Sequence, residues 1–158
     1  MTTRSKKRKP RILIAGLGNL LLQDDGIGIH AVQELQKDPP PGVLVVDIGT
    51  AVLTALHLYE WAERVLVIDA MEAGGAPGTM YLCRDRDVAD LAIQASLHEL
   101  SLLAALRFVS PQKRPEVIVL GVEPENIDYG LHLSPVLESS LPHLIKTVRD
   151  LVAGWLSR

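Results

Sequence analysis

Residues 11–28 read RILIAGLGNLLLQDDGIG: an apolar, β-branched run, a glycine-studded loop carrying two adjacent carboxylates, and the start of a helical pattern. A buried strand feeding a glycine loop and then a helix is the opening unit of an open α/β sheet. The loop is not a dinucleotide cradle. The G-x-G-x-x-G fingerprint requires glycine at position 21, which is Leu21, and Asp24 and Asp25 stand where a pyrophosphate has to sit. Asp47, ending the second strand, has the position of a ribose-binding acid but no phosphate site to serve.

Outward from this stretch, Arg11–Ala15, Val43–Ile48, Val65–Ile68 and Val117–Val122 are short and almost continuously apolar, the pattern of central strands buried on both faces. Helical spacing fills Gly26–Lys37 and Val52–Glu63 between the first three. The βαβαβ alternation implies parallel strands with right-handed crossovers and helices on both faces. Only Ala70–Gly78 separates the third strand from Thr79–Arg84, too few residues for a crossover helix, so that strand is expected to be antiparallel and at an edge. Ser96-Leu97-His98-Glu99 opens a helix with a capping box that runs to Phe108. Ser134-Pro135 opens the closing helix, with Pro142 expected to delay or kink it. The fold class is therefore α/β, with a five-stranded, mostly parallel sheet and one antiparallel edge strand.

Composition narrows the possible roles. A chain of 158 residues suits one domain, here residues 11–158, preceded by a basic tail (1–10) expected to be disordered. The first eleven residues carry six of the sixteen basic side chains and no acid. The remainder holds ten basic against nineteen acidic residues, a net −9 that disfavours nucleic acid as a partner. Every apolar run is broken well short of the ~18 residues a bilayer requires, so no membrane partner is expected. Cys83 is the only cysteine, which excludes an internal disulfide or a CxxC knuckle and fits a reducing cytoplasm.

The chemistry-bearing residues each have a plain reading. Asp24 and Asp25 precede a helix, where one carboxylate suffices to cap free N–H groups; Asp69 ends a strand, and His98 opens a helix. His98-Glu99 is not the start of a zinc motif, because position 102 is leucine. No GxSxG elbow is present, and Cys83 lies in an apolar strand where thiols are inert. Yet strand ends line the ligand crevice of parallel sheets, and two carboxylates with one imidazole there make a mixed oxygen and nitrogen set for a divalent metal.

In order and spacing, the chain resembles the hydrogenase maturation endopeptidases. The segments that carry this are GLGNLLLQDDGIGIHAVQEL, Asp47-Ile48-Gly49-Thr50, Val67-Ile68-Asp69-Ala70, Ala76-Pro77-Gly78-Thr79, Ser96-Leu97-His98, Gly121-Val122-Glu123-Pro124 and Leu131-His132-Leu133-Ser134-Pro135, spanning residues 11 to 156. The resemblance implies a three-layer α/β/α sandwich. It also implies an enzyme that trims the C-terminal extension of the nickel-iron hydrogenase large-subunit precursor after nickel insertion. Its metal-contacting and catalytic positions fall on Asp25, Asp69 and His98, facing one solvent-open cleft, with the nickel carried by the precursor and no organic cofactor. Asp24 keeps the capping role, and at least one of Leu20, Leu21 and Leu22 is expected on the precursor-docking surface, the alternative being that they staple the loop to the first helix. The alternatives are a non-catalytic nickel or precursor chaperone and a peptidyl-tRNA hydrolase. The latter shares GLGN but continues with a proline-glycine turn where this chain has Leu20-Leu21-Leu22-Gln23.

Overall fold

The computed structural model describes residues 7–84 and 97–158. Its elements are β1 (Ile12–Leu17), α1 (Ile27–Lys37), β2 (Val43–Gly49), α2 (Leu56–Trp61), β3 (Arg64–Ala70), β4 (Met80–Arg84), α3 (Leu97–Leu106), β5 (Glu116–Val122) and α4 (Pro135–Leu156). The strands form one sheet in the order β2-β1-β3-β5-β4, parallel except for β4, which pairs antiparallel with β5 at an edge.

The two-residue period of the strands builds the layers. Leu13, Ala15 and Leu17 of β1, Val65 and Val67 of β3, and Val117 and Val119 of β5 join Tyr59, Leu102, Ala105 and Leu106 on the side of α2 and α3. Their alternates Ile12, Ile14, Leu66, Ile68, Leu120 and Val122 pack with Ile27, Val32 and Leu35 of α1 and Leu137, Leu144 and Val148 of α4. Apolar side chains on both faces are what made these strands continuous apolar runs.

Three expectations are corrected. Val43–Ile48 does not form a central strand: β2 is the edge strand opposite β4, with Leu44 exposed and Val43, Val45 and Val46 half-buried. Its apolarity serves the cover that α1 lays over it, and an apolar run carries no information on how many neighbours a strand has. The helical pattern of Val52–Glu63 divides into a 3-10 turn at Val52–Ala55 and the short α2. The helix stops there because Glu63 already donates its N–H to the Arg11 carbonyl (2.8 Å), at the start of the pairing between β3 and β1. Pro142 does not delay α4, which begins at Pro135 with Ser134 as N-cap, its Oγ accepting from Leu137 N, and runs through the proline to Leu156.

Of the basic tail, residues 1–6 lie outside the described residues. Arg8 donates to Glu63 Oε1 (2.6 Å) and Arg11 N donates to Oε2 (2.7 Å), and these contacts hold the Glu63 carboxyl below its usual range. The serine of the 96–99 capping box is also outside the described residues.

His30, on α1, has a buried Nε2 that meets no hydrogen-bond partner among the described residues. Burial, and after it the nearby His132, lower its pKa, while Glu138 and Asp24 oppose them. The fold therefore holds the neutral imidazole. With an unfolded value of about 6.5, the stability this contributes is present above that pH and is lost as pH falls below it toward the folded value. His30→Gln should flatten this dependence. Melting temperatures of parent and variant followed from pH 8 to pH 5 check it, and parallel curves would remove His30 from the account.

Candidate active site

The carboxyl ends of β1 and β3 lie side by side, Gly16 opposite Ile68, and the loop after β1 folds back across them. Its glycines give close contact where a nucleotide fold gives a phosphate cradle. A Cβ on Gly28, in the first turn of α1, would overlap the carbonyl oxygens of Ile68 and Leu17, so the helix rests directly on the sheet backbone. Gly18, at φ +129°, is pressed against the Asp25 carbonyl, and a Cβ there would stand 3.4 Å from Asp69 Oδ1. One glycine thus separates the Asp25 backbone from the Asp69 carboxylate.

Asp25 sits in the 3-10 turn Gln23–Gly26, almost fully buried, with Oδ2 accepting from Asn19 N at 3.0 Å. Asn19 in turn accepts from Leu21 N through Oδ1 (3.0 Å), so the asparagine of GLGN shapes the loop that presents the acid. Asp69 has no exposed surface and accepts from Ala70 N at 2.8 Å through Oδ1. By strand alternation it shares the sheet face of Val65 and Val67, the side on which α3 packs. His98 is the second residue of α3, a helix that packs on the 3-10 turn following β2. Both acids lie at the same sheet edge, buried rather than open to solvent; the His98 side chain lies outside what the structure describes. Among the described residues no three His, Cys, Asp or Glu side chains group as a metal site.

Asp24 is not the cap of α1. The N-cap of that helix is Gly26, with no side-chain hydrogen bond. The fully buried Asp24 carboxylate instead accepts four hydrogen bonds: Ser134 N and Ser134 Oγ (both 2.7 Å), Glu125 N (2.9 Å) and Asn126 N (3.0 Å). Because Ser134 Oγ also accepts from Leu137 N, Asp24 steadies the cap of α4, an element more than a hundred residues away. Backbone bonds from Gln23 N to Gly130 O and from Gly130 N to Leu21 O (both 2.9 Å) join the same two loops.

Glu123, in the Gly121-Val122-Glu123-Pro124 stretch, carries no role that the sequence alone assigns. It is buried at the end of β5, where its carboxylate accepts from Ala73 N (2.7 Å), Gly74 N (3.2 Å) and Tyr81 Oη (3.0 Å). It ties down the segment that immediately follows Asp69. Burial, together with this carboxylate, pushes the Tyr81 phenol up. A lone acid ending an apolar strand at the ligand edge was the available signal.

Comparison with known proteins resolves the class. A family model described as hydrogenase maturation protease (HycI) matches residues 29–151. The chain belongs to this protease family. It is 34% identical over 147 residues to the hydrogenase 2 maturation protease of Escherichia coli K12, covering 87% of this chain and 88% of that protein. It is 33% identical over 154 residues to the hydrogenase expression/formation protein HoxM of Cupriavidus necator, covering 91% and 75%. The solved structure of the hydrogenase maturating endopeptidase HybD from E. coli superposes with a TM-score of 0.81 at 31% identity over 91% of this chain and 93% of that one. This peptidase therefore has the mixed five-stranded sheet of its relatives, and the tRNA-hydrolase and non-catalytic readings are set aside. No helix among the described residues is long and apolar enough to cross a membrane.

Proposed function

We propose that this peptidase removes the C-terminal extension of a nickel-iron hydrogenase large-subunit precursor after nickel insertion, with Asp25, Asp69 and His98 engaging the nickel that the precursor carries. The observation that supports this most is the packing of the Asp25 backbone and the Asp69 carboxylate on either side of Gly18, on a loop built by glycines, Asn19 and the Gly130 contacts rather than by a phosphate. Carboxylate oxygens and an imidazole nitrogen suit a divalent ion, and three ligands leave positions for the precursor's own. A nickel ion held there supplies recognition, polarisation of the scissile carbonyl or activation of water. The protein's part is to hold the acids in register: Asn19 and Gly18 fix Asp25, and Glu123 fixes the chain beyond Asp69.

Leu21 is 60% exposed beside these acids, and Ile127, Tyr129 and Leu131 are exposed on the facing loop that Gly130 joins to it. This apolar rim is suited to docking the precursor.

The test is processing of nickel-loaded against nickel-free precursor by the purified enzyme in a cytoplasm-like reducing buffer. Release of the C-terminal peptide from the loaded form alone is expected. Equal rates on both would mean that nickel is not what these side chains engage.

A further inference from the structure

The edge of the sheet opposite the acids carries an open concavity of about 530 Å³ between residues 7–10, the start of β3 and the last turn of α4. Lys7, Arg8, Lys9, Arg64, Trp155 and Arg158 line it. Arg64 and Asp69 are five residues apart on β3, so this cleft lies on the order of 17 Å from the candidate active site.

Five cations converge here on a chain whose body is acidic. Arg8 is neutralised by Glu63 (2.6 Å), and Arg64 Nε stands 3.6 Å from Glu116 Oε2. Among the described residues, no ion pair engages Lys7, Lys9 or Arg158. Arg64 lies over the Trp155 ring, 5.6 Å from its centroid, which holds the guanidinium in a set orientation. Its Nη1 is buried and, among the described residues, meets no acceptor. Like charges gathered in one concavity repel each other, and a bound anion relieves that repulsion.

We propose that this cleft binds a small phosphate-bearing polyanion. Its volume falls in the range of small-molecule sites, roughly 300–1,000 Å³. Planar guanidinium groups beside two lysine ammonium groups are a donor set that phosphate oxygens take. The concavity and the acidic body around it favour a compact ligand over a nucleic acid, whose backbone would cross the acidic surface.

Trp155 reports directly on the cleft, since the chain has two tryptophans and the other, Trp61, is partly exposed at the end of α2. Full-length Trp61→Phe protein is titrated with tripolyphosphate and with ATP, followed by Trp155 fluorescence, against sodium chloride at matched ionic strength. A saturable one-site change is expected, weakened about tenfold or more by Lys7→Gln with Lys9→Gln, and likewise by Arg64→Gln. The lysines lie on an exposed arm, so their replacement tests the site even if the Arg64 variant folds poorly. Equal affinity for the two ligands means that phosphate alone is read; tighter ATP binding means that the nucleoside adds contacts, and either supports the site. A response that chloride reproduces, one that does not saturate, an affinity unmoved by the lysine pair, or tighter binding of a single-stranded oligonucleotide than of tripolyphosphate would overturn the proposal.

Discussion

Asp69→Asn is expected to slow cleavage of nickel-loaded precursor by about 10²–10⁴-fold, the scale on which groups acting at a reacting centre contribute. The amide keeps the shape of the side chain and an oxygen for the Ala70 N–H, so the local turn at the end of β3 survives. What it loses is the charge, and a neutral amide is a poor ligand for a divalent ion. Folding stability should stay within about 1 kcal/mol of the parent. His98→Ala should behave in the same way. The measurement is the rate of peptide release by purified variants, with circular dichroism melts alongside. A variant that processes at the parental rate would take Asp69 out of the site; one that fails to process because it has unfolded is recognised by its melt.

Asp24→Ala should do the opposite, destabilising the fold by about 3–5 kcal/mol while the folded fraction still cleaves precursor. Four donors lose their acceptor together: two backbone N–H groups of the 125–126 turn, and the N–H and hydroxyl of Ser134. With nothing to hold Ser134, the cap on Leu137 N weakens, and so does the seam joining the first loop to the start of α4. Adding Ser134→Ala should cost much less in the Asp24→Ala background than in the parent, because both remove parts of one network. Urea unfolding of the four proteins in this cycle measures both effects. A loss below about 1 kcal/mol, or strict additivity, would reduce Asp24 to an ordinary surface acid. Asp69 and Asp24 are thus expected to fail in different ways, one by chemistry and one by folding.

Much of this architecture was legible from periodicity and spacing, which are local properties of a chain. The buried runs of β1, β3 and β5, the antiparallel edge strand forced by the short Ala70–Gly78 connection, and the Ser134-Pro135 helix start all stand where the sequence put them. Leucines at consecutive loop positions likewise foretold exposure at Leu21. The placement of Asp69 at the end of β3 and of Asp25 in the loop after β1 was likewise readable from the sequence.

Tertiary structure alone decided the rest. Whether an apolar strand is central or at the edge depends on how many neighbours it finds, and among the described residues Val43–Gly49 pairs only with β1. Which of two adjacent carboxylates is structural depends on the direction each side chain takes from a tight 3-10 turn. Asp24 turns inward, to donors 101 to 110 residues away, while Asp25 takes the Asn19 N–H within its own loop. Glu123 gained its role only when the 73–74 backbone came within hydrogen-bond reach. A sequence determines on its own what is set by neighbours within a few residues, since propensity, period and capping act at that range. It leaves unstated the partners of a buried polar group, because these are chosen by the closing of the fold and lie at separations where a local pattern carries no signal.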